Sequence, residues 1–184
     1  MASLNKIQVG NVIGKTTLVS IESKPVQIPD VKNLIHFQFR RFAACPFCSV
    51  HLRSFVRRHD EITTAGIREA VVFRSSVAAL QHHHGNVPFA VVADPKGKVY
   101  AEFGIGSGLR ALLNPRALLM ALPNVIRMLP KLPGIPAWGK GVFGLPADFL
   151  IATDGRVLAR KYGTHADDQW SVDELLVLAR QHAP

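Results

Sequence analysis

LIHFQFRRFAACPFC, residues 34–48, carries the strongest structural signal in the chain. Its first six residues form a mostly apolar run with aromatic side chains, which predicts a buried central strand. Cys45 and Cys48 follow, and Pro46 suits the first turn of a helix because its missing N–H would have had no helical partner. Apolar residues then recur near helical spacing as far as a stop at Gly66. The stretch therefore predicts a strand that leads into a helix, with two cysteines at the junction.

The position of Cys45 predicts a reactive thiol. A thiolate rather than a thiol attacks disulfides and peroxides, so this chemistry depends on a lowered cysteine pKa. Free backbone N–H groups and the helix dipole favour an anion at the start of a helix. Arg40, Arg41 and Arg53 are near enough in the sequence to add positive potential. Cys48 follows one turn later and is expected to be more buried, so Cys45 is predicted as the attacking thiol and Cys48 as the resolving thiol.

Two other interpretations of the cysteine pair stay open. The first is a pair of reduced, buried cysteines that pack as small apolar side chains, although a strand-to-helix junction lies at the edge of a sheet, where sites form. The second is a zinc site, which needs about four ligands. Only His51 is near the pair in the sequence, and His82, His83 and His84 are remote. No metal site is therefore predicted.

The composition is that of one globular domain. The chain has 184 residues, of which 48% are hydrophobic and 19% are charged, and these values exclude a disordered chain. Two cysteines are too few for a disulfide-stapled secreted miniprotein. The formal net charge is +9, and a cationic surface attracts nucleic acid, anionic lipid or an acidic partner. Nucleic-acid binding is not predicted, because aromatic side chains do not interleave with the arginines around the predicted helix.

The sequence also predicts a soluble, cytoplasmic protein. Its first residues, MASLNKIQVG, lack the basic start and the apolar run of a signal peptide. The most apolar region, residues 109–132, is interrupted by four basic residues, and its longest uncharged piece is about half the length of a spanning helix. No membrane span is therefore predicted. In the cytoplasm a lone C-x-x-C pair is typical of redox or metal chemistry rather than of a structural disulfide.

The remaining segments extend this start into an α/β pattern. At the N-terminus, β-rich pieces at 7–9, 16–21 and 26–28 predict a hairpin. A strand at 70–73 and a helix at 75–83 are predicted next, followed by a hairpin that joins 88–93 to 98–103. Near the end of the chain, another hairpin joins 148–152 to 156–162, and a final helix begins near Ser171. Turn residues at 94–97 and 153–155 indicate the two later hairpins, and Ser171 with Glu174 forms a capping box. Residues 106–144 are Leu-rich and punctuated by prolines, which predicts a helical insertion or cap. The order predicts a single thioredoxin-like domain over residues 1–184, with a central mixed sheet flanked by helices.

Several motifs along the chain carry a family resemblance that extends from about Val9 to Ala179. They are FRRFAACPFC at 39–48, DPKGKVY at 94–100, LLNPR at 112–116, GLPADFLI at 144–151 and the tail at 162–176. On these motifs the chain resembles the peroxiredoxin-like proteins of the alkyl hydroperoxide reductase/thiol-specific antioxidant (AhpC/TSA) family, within the thioredoxin-like superfamily. The resemblance implies a thioredoxin fold and thiol-based redox chemistry with Cys45 as the nucleophile.

Supporting residues and partners follow from the same comparison of patterns. Pro46 and Arg41 adjoin the nucleophile, and Pro146 stands where thioredoxin-like proteins place a cis-proline beside the redox cysteine, so a cis bond before Pro146 is predicted. No bound cofactor is expected, since an external thiol reductant such as a thioredoxin or glutathione system would restore the dithiol. The insertion at 106–144 carries a Leu-rich stripe that offers a homodimer surface.

One departure from the family pattern leaves the substrate open. Typical peroxiredoxins have Thr or Ser three residues before the peroxidatic cysteine and Pro seven before it, where this chain has Phe42 and Gln38. The hydroxyl that orients a peroxide oxygen is thus absent from its usual position. The sequence predicts a thiol oxidoreductase that reduces peroxides or disulfides. The alternatives are a protein disulfide reductase without peroxidase activity and a non-enzymatic binding protein on the same scaffold.

Overall fold

A computed structural model describes residues 5–106 and 144–182 of the chain. Within these ranges the elements in chain order are β1 (Thr16–Val19), β2 (Pro25–Ile28), β3 (Leu34–Arg40), α1 (Pro46–Arg57), α2 (His59–Thr64), β4 (Ile67–Phe73), α3 (Val77–His84), β5 (Ala90–Ala93), α4 (Lys98–Glu102), β6 (Ala147–Ile151), β7 (Val157–Tyr162) and α5 (Val172–Gln181). The predicted helical insertion at 106–144 lies, apart from its two end residues, outside the described residues.

The central sheet has five strands in the order β5-β4-β3-β6-β7. β3, β4 and β5 are parallel neighbours, whereas β6 runs antiparallel to both β3 and β7. β1 and β2 form a separate antiparallel hairpin, and Ser20, directly after β1, makes a bridge to Val92 in β5. The predicted thioredoxin-like α/β fold is confirmed, with a mixed sheet flanked by helices and an N-terminal hairpin.

Alternate residues of β3 divide its side chains between two layers. Ile35, Phe37 and Phe39 are completely buried in one core, where the Phe37 ring lies 5.1 Å from that of Phe103 and the Phe39 ring 5.1 Å from that of Tyr100. Successive side chains of a strand point to opposite faces of the sheet. The other residues of β3 therefore face the layer formed by α1 and the start of α5.

The segment after β5 is a helix, so the prediction of a hairpin strand at 98–103 was wrong. Asp94 explains the difference, because its Oδ1 accepts a hydrogen bond from the backbone N–H of Lys98 at 2.9 Å and its Oδ2 accepts one from that of Tyr100 at 3.2 Å. Gly97 precedes the helix with a φ of +70°, in the left-handed region that favours glycine. The turn residues thus start α4, since the carboxylate satisfies N–H groups that a first helical turn leaves free.

Other local predictions can also be compared with the structure. The hairpin of β6 and β7 and the final helix are confirmed, and the capping box is present: Glu174 N–H donates to Ser171 Oγ at 3.2 Å, and Ser171 N–H donates to Glu174 Oε2 at 2.7 Å. The helix predicted from Pro46 to Gly66 is divided at Arg58, where φ and ψ of −112° and 21° interrupt it. Of the three N-terminal pieces, the one at 7–9 forms no strand.

Candidate active site

Cys45 lies between the end of β3 and the first residue of α1. It is the N-cap of that helix, and its Sγ accepts a hydrogen bond from the backbone N–H of Cys48 at 3.4 Å. Pro46 is the first residue of α1, which is the position that the sequence predicts. Both cysteines are free thiols with 0% of their surface exposed. Burial therefore does not distinguish them, contrary to the expectation that Cys48 lies deeper.

The two thiols have opposite pKa shifts. Burial raises the pKa of Cys45, but the hydrogen bond from the Cys48 thiol, the positive charge of Arg41 and backbone N–H groups at the start of α1 outweigh it and lower the pKa to about 7. Burial and the neighbouring Cys45 together raise the pKa of Cys48 well above its usual value. At neutral pH Cys45 therefore carries a substantial fraction of thiolate, and Cys48 holds its proton.

The loop that carries Cys45 is held by the segment around α3. Ala43 N–H donates to Ser75 Oγ at 2.9 Å, and His84 Nε2 lies 2.8 Å from the Ala43 carbonyl oxygen, to which it donates. His84 is buried and stacks on Phe73 with 4.8 Å between the ring centroids. His84, in α3, thus positions the cysteine loop through its hydrogen bond to Ala43, and Phe73 of β4 supports the histidine ring. Both α3 and β4 follow the cysteine loop in the chain.

The arginines near the cysteine pair take three different positions. Arg41 is 3% exposed, and its charge reaches the Cys45 thiol. The Arg40 side chain is completely buried on the face of the sheet that α1 covers, and the Arg40 backbone carbonyl accepts a hydrogen bond from the Tyr100 hydroxyl. Arg53 is exposed on α1. The structure therefore assigns the two adjacent arginines to different surroundings, which the sequence did not separate.

A buried network of polar side chains lies on the face of the sheet below α1. His36 Nδ1 is 2.7 Å from Glu69 Oε1, and His36 Nε2 is 3.1 Å from Asp148 Oδ1. Arg40 Nη2 donates to the same Asp148 oxygen at 2.7 Å. Gln38 connects the two ends, donating to Glu69 Oε1 at 3.1 Å and accepting from Arg40 Nη2 at 2.7 Å. The ionisable members of the network have fully buried side chains.

Sequence reasoning missed this network because it treated the start of β3 as one apolar run. A signal was present, since His36, Gln38 and Arg40 occupy every second position and must share one face of the strand. Their partners come from other strands: Glu69 is paired with His36 in β4, and Asp148 is paired with Gln38 in β6. The pattern within β3 therefore shows which of its side chains share a face, and the register of the sheet places their charged partners beside them.

The charges of the network stabilise one another. Burial alone would lower the pKa of His36, but hydrogen bonds to Asp148 and Glu69 outweigh it and raise the pKa. Burial raises the pKa of Asp148, but the charge of Arg40 and the hydrogen bond from His36 outweigh it and lower the pKa. Burial and the charge of Arg40 lower the pKa of His51 well below its usual value. His51 in α1 is therefore a neutral imidazole, and its Nε2 accepts from Arg40 Nη2 at 3.0 Å.

A pH-dependent contribution to stability is expected from His36. Because its pKa in the folded protein lies above the ordinary 6.5, the stabilisation is complete below about pH 6.5 and is lost as the pH rises through the folded-state pKa. Each unit of elevation corresponds to about 1.4 kcal/mol. We expect the difference in free energy of unfolding between the native sequence and His36→Gln to narrow as the pH is raised. Denaturant titrations at several pH values measure it, and a difference that widens with pH would contradict the assignment.

Pro146 precedes β6 as the sequence predicts, but the peptide bond between Leu145 and Pro146 is trans, so the predicted cis bond was wrong. Among the described residues, the one cis bond joins Ile28 and Pro29. Pro146 is buried, and its carbonyl accepts a hydrogen bond from the backbone N–H of Gly163 at 2.9 Å. This hydrogen bond joins the residue before β6 to the residue after β7.

Neither a metal-binding cluster nor a membrane-spanning helix occurs among the described residues. Residues 5–106 and 144–182 contain no group of three or more His, Cys, Asp or Glu side chains that could hold a metal ion. In the same part of the chain no helix has the length and apolar character needed to cross a membrane. The homodimer surface predicted within 106–144 falls on residues outside these ranges and stays a prediction.

Comparison with known proteins relates most of the chain to one family. The family model described as AhpC/TSA antioxidant enzyme matches residues 52–165, a span that begins shortly after Cys48. Among solved structures, the fold is similar to that of peroxidoxin BcpB from Mycobacterium tuberculosis, with a TM-score of 0.70 and 16% identity over 97% of this chain and 99% of that one. Peroxiredoxin Q from Xanthomonas campestris has a TM-score of 0.64 and 16% identity over 92% of each chain. A peroxiredoxin-like protein from Aquifex aeolicus has a TM-score of 0.64 and 14% identity over 97% of this chain and 89% of that one. No curated protein sequence matches significantly.

Proposed function

The chain belongs to the AhpC/TSA antioxidant enzyme family, and from that membership we propose that it is a thiol oxidoreductase cycling between a Cys45/Cys48 dithiol and a disulfide. One observation carries the proposal: Cys45 is the N-cap of α1 and its Sγ accepts from the backbone N–H of Cys48 at 3.4 Å, an arrangement that fits the opposite pKa shifts of the two thiols. The lowered pKa gives Cys45 the thiolate that attacks, and the raised pKa keeps Cys48 protonated until the resolving step.

The proposed cycle has three balanced steps. The Cys45 thiolate attacks a peroxide oxygen, so that an S–O bond forms, the O–O bond breaks, and the leaving oxygen takes a proton to become water or an alcohol. Cys48 then gives up its proton and attacks the Cys45 sulfur; an S–S bond forms, and the S–O bond breaks with release of water. Two thiol groups of an external donor finally reduce the disulfide, and the donor itself becomes a disulfide.

Burial favours a small substrate for the first step. Both thiols are fully shielded from solvent, so a protein disulfide would have to displace more of the surrounding structure than a peroxide to reach Cys45 Sγ. Family membership supports the same choice. A peroxide is therefore the first proposed substrate.

A second candidate function is the reduction of disulfides without peroxidase activity. It is favoured by Phe42, which stands where the peroxiredoxin pattern has a hydroxyl residue and whose backbone carbonyl accepts from Cys45 N–H at 3.0 Å. In this case the Cys45 thiolate attacks a disulfide sulfur and Cys48 resolves the resulting mixed disulfide.

We propose for either substrate that the protein needs no bound cofactor, that a thioredoxin or glutathione system supplies the electrons, and that the cycle runs in the cytoplasm.

The experiment that separates the two substrates is rapid mixing of the reduced protein with hydrogen peroxide and, in a second arm, with a model protein disulfide. Intact mass measures the loss of two hydrogens when Cys45 and Cys48 join. We expect peroxide to oxidise the pair faster. Faster oxidation by the disulfide would replace the first candidate by the second, and rates no higher than those of free cysteine with both oxidants would contradict the enzyme proposal.

A further inference from the structure

The guanidinium of Arg40 is a completely buried charge in the layer between β3 and α1. Burying a charge is costly unless partners compensate it. Here Asp148 Oδ1 and Gln38 Oε1 each accept from Arg40 Nη2 at 2.7 Å, and Nη1 donates to the Phe39 carbonyl at 3.1 Å. These contacts hold the guanidinium in one place. Nothing in the proposed cycle has yet used it.

The same guanidinium touches the helix that carries the cysteine pair. Arg40 Nη2 lies 3.0 Å from His51 Nε2, and His51 follows Cys48 by three positions in α1. Residues three apart share one face of a helix about 5–6 Å from each other. The Arg40 side chain therefore ends against α1 one turn beyond Cys48, while the backbone N–H of the adjacent Arg41 donates to the Cys48 thiol.

Apolar side chains pack around Cys48 and give a negative charge no stabilisation. Among the described residues they include Leu52, Val71 and Phe73. From α4, Tyr100 is a neutral phenol, because burial and the nearby Cys48 raise its pKa well above the usual value. The Cys45 side chain opposes ionisation of Cys48 for as long as Cys45 is a thiolate. The positive charge of Arg40 favours ionisation of Cys48.

We propose that Arg40, fixed by Asp148 and Gln38, is a positioning residue whose buried charge stabilises the Cys48 thiolate when that thiolate attacks oxidised Cys45. This inference rests on the proposed function. Once Cys45 has become a sulfenic acid or a mixed disulfide it carries no negative charge, and Arg40 then acts on Cys48 without that opposition. Cys48 loses its proton, the S–S bond to Cys45 forms as the S–O bond or the S–S bond to the substrate breaks, and the leaving group takes up a proton to depart as water or as the substrate thiol.

The test is a titration of Cys48 in a Cys45→Ser background, where Cys48 is the single thiol and the ultraviolet absorbance of its thiolate reports ionisation. Arg40→Met should raise the pKa of Cys48 by about one unit or more, since an opposite charge nearby shifts a pKa by about 1–3 units. Arg40→Lys keeps the positive charge, so it should bring the pKa of Cys48 most of the way back to the value measured with Arg40 in place. The titration needs no substrate, so its result is independent of whether the protein proves to be a peroxidase or a disulfide reductase.

Glu69→Gln is the matched control, because Glu69 belongs to the same buried network but contacts His36 and Gln38 rather than Arg40. It should lower stability and leave the pKa of Cys48 nearly unchanged. An unchanged pKa in Arg40→Met, an equal rise in Arg40→Lys, or an equal rise in Glu69→Gln would each overturn the proposal.

A paired variant covers the case in which Arg40→Met does not fold. Arg40→Met combined with Asp148→Asn removes both charges of the ion pair. A smaller rise in the pKa of Cys48 is still expected, since Arg40 and not Asp148 contacts the helix of Cys48. No rise in that paired variant would overturn the proposal as well. In the cysteine-intact protein, each unit of rise should slow disulfide formation after Cys45 oxidation about three- to fourfold below the pKa of Cys48, because the tenfold loss of thiolate is partly offset by the greater nucleophilicity of the thiolate that remains.

Discussion

Cys45→Ser is expected to reduce turnover of either substrate to background. A serine hydroxyl remains protonated at neutral pH, whereas the pKa of Cys45 is about 7, so the variant loses both the thiolate and the sulfur that accepts the oxygen or the substrate sulfur. In the native protein the rate of the first oxidation should rise as the pH is raised through about 7 and level off above it. Stopped-flow oxidation followed by intact mass measures both effects.

Cys48→Ser is the matched control for this prediction. It removes the second sulfur from the same helix and keeps the N-cap thiol in place. The first oxidation of Cys45 should proceed, and the product should stop at sulfenic acid, which adds one oxygen atom to the mass, or at a mixed disulfide. Equal trapping of oxidised intermediates by both variants would contradict the roles assigned to the two cysteines.

Asp148→Ala should cost a large part of the stability of the fold. Asp148 Oδ1 lies 2.7 Å from Arg40 Nη2 and 3.1 Å from His36 Nε2, and Oδ2 accepts from Trp170 N–H at 3.3 Å, with the side chains of the two charged partners fully buried. Removing one partner of a buried ion pair leaves an uncompensated buried charge, and this is worth about 3–5 kcal/mol. Denaturant unfolding monitored by circular dichroism and by fluorescence measures the loss.

Asp154→Ala is the control for that measurement, since Asp154 has the same side chain and lies in the turn of the same hairpin. Its carboxylate is 59% exposed, lies 3.6 Å from Arg156 Nε and accepts from the Arg156 backbone N–H at 2.9 Å, so the loss should stay below about 1 kcal/mol. Adding Arg40→Met to Asp148→Ala should restore part of the lost stability, because the buried cation is then gone. Equal losses for Asp148→Ala and Asp154→Ala would show that the buried network does not stabilise the fold.

Family membership and the geometry of the candidate site come from different parts of the chain. The family match begins at residue 52, beyond the cysteine pair, and extends to residue 165, so that it includes β4 to β7 but not β3. Asp148 lies within that span, and Arg40 lies outside it. The Arg40–Asp148 ion pair thus links the matched region to the strand that leads into the cysteines.

The cysteine junction, the hairpin of β6 and β7 and the capped final helix could be predicted because their causes are local. A proline at the first turn, a capping box and the turn residues of a hairpin act over a few neighbouring positions. The same reasoning failed after β5, where the turn residues at 94–97 suit either a hairpin or a helix start. The Asp94 carboxylate decides for the helix by accepting N–H groups of its first turn.

By itself, therefore, the sequence determined where the two cysteines stand and which of them begins the helix. Only the tertiary structure decided that Arg41 faces Cys45 while Arg40 is buried against Asp148. The contacts of the network join pairs of residues that are separated in the chain by 33, 108 and 112 positions. The order and register of β3, β4 and β6 bring these residues together. A pattern in one strand records which side chains share a face, but the charges that meet there depend on the strands that become its neighbours.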